Sequence, residues 1–151
     1  MYRKILVTLD ATDADRTILE HIKGLARLCK SRLVLLHVAD GWAARWFGSD
    51  AVSQEIEDDR AYLSRVVGEL VAEGFPVEAD LAFGEPVTEI VKWVHEKGCD
   101  LIAMSTHGHR FLADLLLGTT ASRVQHQVHV PVLLLRARGV GRPADSKSPE
   151  G

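Results

Sequence analysis

Five short apolar runs rich in branched residues alternate along this chain with segments whose apolar residues recur at helical spacing, and this alternation leaves few folds open. Residues 3 to 9, "RKILVTL", form the first run and end at Asp10. Ile18, Ile22, Leu25, Ala26 and Cys29 then mark one stripe of a helix expected over Asp13 to Lys30, with Thr12 or Asp13 available as N-cap. A second strand, "RLVLLHV" (32 to 38), leads through the aromatic loop "DGWAARWFGS" into an amphipathic helix from about Val52 to Glu73, closed by Gly74. The third strand, "VEADLAF" (77 to 83), alternates apolar and polar residues, which suits a sheet edge with one partly solvated face. Pro86 then opens a third helix that carries Val87, Ile90, Val91 and Val94 inward and stops at Gly98. A fourth strand, "DLIAMS" (100 to 105), a short helix over Thr119 to Gln127 and a fifth strand over 130 to 136 complete the series.

Strands that are apolar throughout need cover on both faces, so the expected fold is a doubly wound α/β sandwich. It has a five-stranded parallel sheet of order 3-2-1-4-5 with helices on both faces, built by right-handed crossovers and one reversal of direction. In such sheets ligands bind beyond the carboxyl ends of the strands, where the winding reverses. That crevice lies between Asp10, at the end of the first strand, and Ser105, at the end of the fourth.

A length of 151 residues suits one core, expected over 1 to 137, while residues 138 to 151 lack apolar periodicity and read as a disordered tail. Apolar residues at 46% and charged residues at 26% describe a globular protein. No apolar run approaches the roughly 20 residues that span a bilayer. The N-terminus enters a strand directly with no leader-like apolar segment, so the expected location is the cytoplasm and no membrane partner is expected. A net charge of −3 argues against a nucleic-acid partner. Cys29 and Cys99 stand in no metal or redox spacing and read as incidental or buried thiols.

The stretch "STHGHRFLADLLLGTTASR" (105 to 123) carries the chemistry. Gly108 follows the fourth strand where the chain must turn or let a ligand approach its backbone. Gly118 precedes a helix whose first N–H groups, from Thr119 and Thr120 onward, would point at an anion with both hydroxyls as further donors. A phosphate suits this arrangement; a plain turn at Gly108 and an N-cap at Thr119 or Thr120 are the structural alternatives.

This stretch resembles the nucleotide motif of the universal stress protein family: Gly, two residues, Gly, nine residues, then Gly-Ser or Gly-Thr after the fourth strand. The corresponding residues are Ser105, Gly108, Gly118 and Thr119. The likeness extends over "ILVTLD", "LLHV", "DLIAMSTHG" and "VPVLLLR", nearly the whole expected domain. One position departs, because the first glycine is Ser105, whose Cβ would crowd a passing nucleotide or whose hydroxyl could donate to it. The resemblance implies a flavodoxin-like homodimer, joined through the strand at 130 to 136, that binds ATP or AMP, with Mg as an optional companion. It implies that Asp10 accepts from the ribose hydroxyls, with Thr8 and Leu9 beside it and Val38 against the adenine. Met104 and Ser105 would lie under the sugar and first phosphate, Gly108, Gly118, Thr119 and Thr120 would hold the phosphates, and His107, His109 and Arg110 would add positive charge. A stress-response or regulatory role follows, with a protein partner that the sequence does not specify; a slow ATP hydrolase or phosphoryl-transfer enzyme, or a dimeric interaction protein without nucleotide, are the alternatives.

Other chemistries of the same fold class lack their residues. The first loop, "DATDAD", has neither a phosphate-binding Gly-rich lysine motif nor the dinucleotide Gly-x-Gly-x-x-Gly. A phosphoacceptor domain needs an Asp after the third strand and a Lys after the fifth, where "AFGEP" and "LLLRAR" stand. The seven histidines show no metal spacing, and His37, His126 and His129 read as packing or surface residues. Trp42, Trp46 and Phe47 read most simply as packing on the second helix, with a cover for adenine or a partner face as alternatives.

Overall fold

The computed structural model describes residues 1–39, 49–105 and 119–136. Its elements run β1 (Lys4–Leu9), α1 (Ala14–Cys29), β2 (Arg32–Ala39), α2 (Ser49–Ala72), β3 (Val77–Phe83), α3 (Pro86–Lys97), β4 (Leu101–Ser105), α4 (Thr119–Gln127) and β5 (Val132–Leu135). The five strands form one sheet of order β3-β2-β1-β4-β5, all neighbours parallel, as the alternating pattern requires. Trp42, Trp46, Phe47 and the expected tail over 138 to 151 lie outside the described residues.

Two apolar layers flank the sheet. Ile5, Val7, Leu9, Leu33 and Leu35 pack on one side with Ile18, Ile22 and Ala26 of α1 and Leu63, Val66 and Leu70 of α2. Leu6, Val34, Leu36, Val38, Ile102 and Met104 pack on the other with Val87, Ile90 and Val94 of α3 and Ala121 and Val124 of α4. Side chains alternate across a strand, so consecutive apolar residues of β1 feed both layers, which is why the strand shows no polar face. Among the described residues no helix is long and apolar enough to cross a membrane.

The element ends follow local chemistry. Gly74 takes φ +88 and Gly98 φ +62, left-handed positions that stop α2 and α3. Pro86 stands at the start of α3, and the Glu85 carboxylate accepts from the Thr88 N–H at 2.8 Å as its cap. β5 begins at Val132 rather than 130, because Pro131 has no N–H to give to the ladder, although its carbonyl still accepts from Ile102 at 3.0 Å. At the start of α1 the two expected cap residues share the position and the bond. Asp13 occupies the N-cap position without a side-chain cap bond; the Thr12 hydroxyl accepts from the Ala14 N–H at 3.3 Å, and Asp15, in the first turn, reaches back to the loop N–H groups of Asp10 and Ala11.

Candidate functional site

β1 and β4 run side by side through Ile5–Leu101, Leu6–Ile102 and Val7–Ala103, so Thr8 and Leu9 lie beside Met104 and Ser105 at the carboxyl end of the sheet. β2 flanks β1 on the other side, with Leu9 opposite His37 and Val38 one step further. The chain winds from β1 to β2 in one direction and crosses to β4 in the other, so the winding reverses between β1 and β4. Thr8, Leu9, Asp10, Val38, Met104 and Ser105 are therefore brought together at one end of three adjacent strands. Ala121 and Val124 of α4 pack in the same layer as Val38 and Met104, and Thr120 in its first turn is half-buried. Thr119 is the first residue of α4. His107, Gly108, His109, Arg110 and Gly118 lie outside the described residues.

The strand residues differ in what they offer. Val38 and Met104 are buried in the α3/α4 layer, with little side-chain surface left at the carboxyl end of the sheet. Leu9 turns its side chain into the opposite layer, which leaves its backbone for the site. That backbone is itself held, because His37 Nδ1 donates to the Leu9 carbonyl at 2.8 Å. His37 Nε2 lies 3.0 Å from Asp59 Oδ2 of α2, and both side chains are buried. His37 is thus a packing residue, as its sequence setting suggests, but one with two polar partners.

The turn after β1 is built from carboxylates. Asp10 Oδ1 accepts from the Thr12 N–H at 3.1 Å and from the Thr12 hydroxyl. Asp15 Oδ1 accepts from the Asp10 N–H at 3.0 Å, and Asp15 Oδ2 from the Ala11 N–H at 2.9 Å and from the Tyr62 hydroxyl. Two successive N–H groups converging on one anion make a small backbone nest. Ala11 has φ +60, a left-handed conformation that a residue with a Cβ adopts at a cost of about 1 kcal/mol or more. The surrounding hydrogen bonds hold it there.

Burial, with the nearby Asp10 charge adding to it against the Tyr62 hydrogen bond, pushes the Asp15 carboxyl up to about 7. Burial and the Asp15 carboxylate push the Tyr62 phenol up in turn. Asp10 Oδ2 is buried and, among the described residues, no N–H or hydroxyl donor reaches it, while the neighbouring Asp15 carboxyl hydrogen-bonds the Asp10 side chain only in its protonated form. Buried carboxylate oxygens are rarely left without a partner, so this atom is an acceptor in want of a donor at the point where the winding reverses.

Asp15, Tyr62 and Asp59 were not singled out from the sequence. Asp59 occupies the same α2 stripe as Leu63, Val66 and Leu70, and a charged residue on a buried stripe is the available signal. The described residues contain no group of three or more His, Cys, Asp or Glu side chains placed to hold a metal ion. Cys99 is buried, which pushes its thiol up to about 11, so it stays protonated and unreactive at neutral pH.

The family model for the universal stress protein family matches residues 1–136. The universal stress protein MJ0577 of Methanocaldococcus jannaschii is 27% identical over 157 aligned residues, covering 91% of this chain and 97% of that protein. A solved structure of MJ0577 superimposes with a TM-score of 0.77 at 30% identity, covering 91% of this chain and 98% of the other. Two further structures share the fold at lower identity. A universal stress protein in complex with cAMP has a TM-score of 0.66 at 20% identity, covering 91% of this chain and 98% of its own. The universal stress protein of Archaeoglobus fulgidus in complex with dAMP has 0.64 at 23%, covering 88% and 97%. With the sheet order, the reversal between β1 and β4 and a family match over 136 residues in agreement, this chain belongs to the universal stress protein family.

Proposed function

We propose that this protein binds ATP or a related adenine nucleotide at the carboxyl ends of β1 and β4, and acts as a stress-response or regulatory protein of the cytoplasm. The observation that carries the reading is the buried Asp10 Oδ2 with no donor among the described residues. A ribose presents adjacent hydroxyls, and a carboxylate accepting from them forms charge-assisted hydrogen bonds. The relatives that hold cAMP and dAMP support an adenine nucleotide as the ligand class.

The electrostatics give the ligand a direction. The nest after β1 already holds the Asp15 carboxylate beside that of Asp10, so phosphates belong at the other side of the crevice. There the first turn of α4, which begins at Thr119, would supply N–H groups and the Thr120 hydroxyl, and its dipole favours negative charge. Gly108 and Gly118 would let phosphates approach the backbone, with His107, His109 and Arg110 adding charge. Mg would accompany ATP through the phosphates. Replacing Asp10 with Ala removes hydrogen bonds of the charged class, typically worth about 1.5–3 kcal/mol, so Asp10→Ala is expected to weaken ATP binding on the order of tenfold to a hundredfold. Titration with labelled ATP, with circular dichroism to verify the fold, reads this. Equal affinity in the parent and Asp10→Ala would remove Asp10 from the site.

A further inference from the structure

Helix α2 sends two polar side chains one turn apart, Asp59 and Tyr62, onto the backbone that carries Asp10. Asp59 reaches it through His37 and the Leu9 carbonyl, and Tyr62 through Asp15 and the N–H groups of Asp10 and Ala11. Asp10 itself is therefore aimed by hydrogen bonds immediately before and at its own peptide. We propose that Asp15 and Tyr62 are positioning residues for Asp10, through which α2 sets how firmly the site holds a nucleotide. The proposal deepens the nucleotide reading above and rests on it.

The chemistry of the relay depends on charge. An ionised carboxyl is an acceptor only, and Asp15 in that form accepts from all three donors that face it. A protonated carboxyl must place one hydrogen; the Asp10 and Ala11 N–H groups offer it no acceptor, and the hydrogen goes to the Asp10 carboxylate, whose side-chain hydrogen bond favours the protonated form. Among the described residues the titratable groups that face Asp15 are Asp10 from the turn and Tyr62 from α2, with Arg65 of the same helix 5.4 Å over the Tyr62 ring. Protonating Asp15 therefore ties up the Asp10 carboxylate that a ribose would use, and Tyr62, which donates to the ionised form, holds that form in place and leaves Asp10 available.

ATP titrations of the parent, Tyr62→Phe and Asp15→Asn, from about pH 5.5 to about 8.5, test the relay. Dividing each value by that of Asp15→Asn at the same pH cancels the titration of ATP and of the other side chains. The parent ratio is expected to rise with pH through about 7, where Asp15 ionises. Tyr62→Phe keeps the ring but loses the donor, so its ratio should fall about threefold to tenfold below the parent at the alkaline end and its midpoint should move to higher pH. A merely structural role for Tyr62 would lower affinity without moving the midpoint. Parent and Tyr62→Phe ratios that are flat, or that coincide at every pH, would overturn the relay while ATP still binds. A folded parent that binds no adenine nucleotide would overturn the nucleotide reading, and the relay with it.

Discussion

Asp10 and Asp15 lie five residues apart in a loop that reads simply as polar, yet one keeps a buried oxygen that no N–H or hydroxyl reaches among the described residues and the other is consumed by the fold. Their different roles come from who donates to them. Asp15 has three donors but little water, and desolvation prevails, so its folded-state value lies near 7 against 3.8 for the ordinary group. The folded protein then keeps a proton that the unfolded chain has already lost, and the stability Asp15 contributes is fully present below about pH 4 and lost as pH rises to about 7. Denaturation of the parent and Asp15→Asn across this window should show the parent losing on the order of a few kcal/mol relative to the variant. A constant difference between the two would contradict the raised value. The ionised form that shapes the turn is also the costlier one, a trade expected where a site is held ready for a ligand. Asp10 was legible in the sequence because it ends an apolar strand at the reversal of the winding. Asp15 was not, since an acidic residue in the first turn of a helix ordinarily reads as a partner of the helix dipole; only the tertiary fold reveals that it is buried and bent back toward β1.

Among the elements, period and punctuation decided what could be read. The strands were plain because branched residues run without interruption between turn residues, and Gly74, Gly98 and Pro86 fixed the ends of α2 and α3. The cap of α3 is a further detail: Glu85 accepts from the Thr88 N–H and hydroxyl, and forms an exposed ion pair with Arg123 of α4 at 3.1 Å. Glu85→Ala should cost about 1 kcal/mol through the cap, with little added by the ion pair, since exposed pairs are weak. Thermal denaturation with Arg123→Ala alongside apportions the two, and a loss in Glu85→Ala no larger than in Arg123→Ala would remove the cap from the account. α2 was legible as a helix but not as a polar strut, because helical spacing identifies the buried stripe without saying which neighbour a charged member meets. Asp59 and Tyr62 acquire their roles only when β1 and β2 place Leu9 and His37 beneath them.

At the scale of the whole molecule, the strand order places two unlike strands at the margins. β3 is partly polar, whereas β5 is a short apolar strand with β4 as its paired neighbour among the described residues, and Leu134 is 38% exposed. An apolar edge of this kind invites pairing with another copy, and we propose a homodimer through 130 to 136. Sedimentation should give a dimer at micromolar concentration and a shift toward monomer for Leu134→Lys; a clean monomer in the parent would contradict it. The sheet order was readable because right-handed crossovers and apolar strands leave few arrangements, while the contents of the crevice depend on which carboxylate oxygen finds a donor. The most direct measurement is a crystal structure of the protein grown with saturating ATP. The account predicts ribose hydroxyls within hydrogen-bond reach of Asp10 Oδ2 and phosphates at the first turn of α4; a nucleotide bound elsewhere, or a crevice without one, would contradict it.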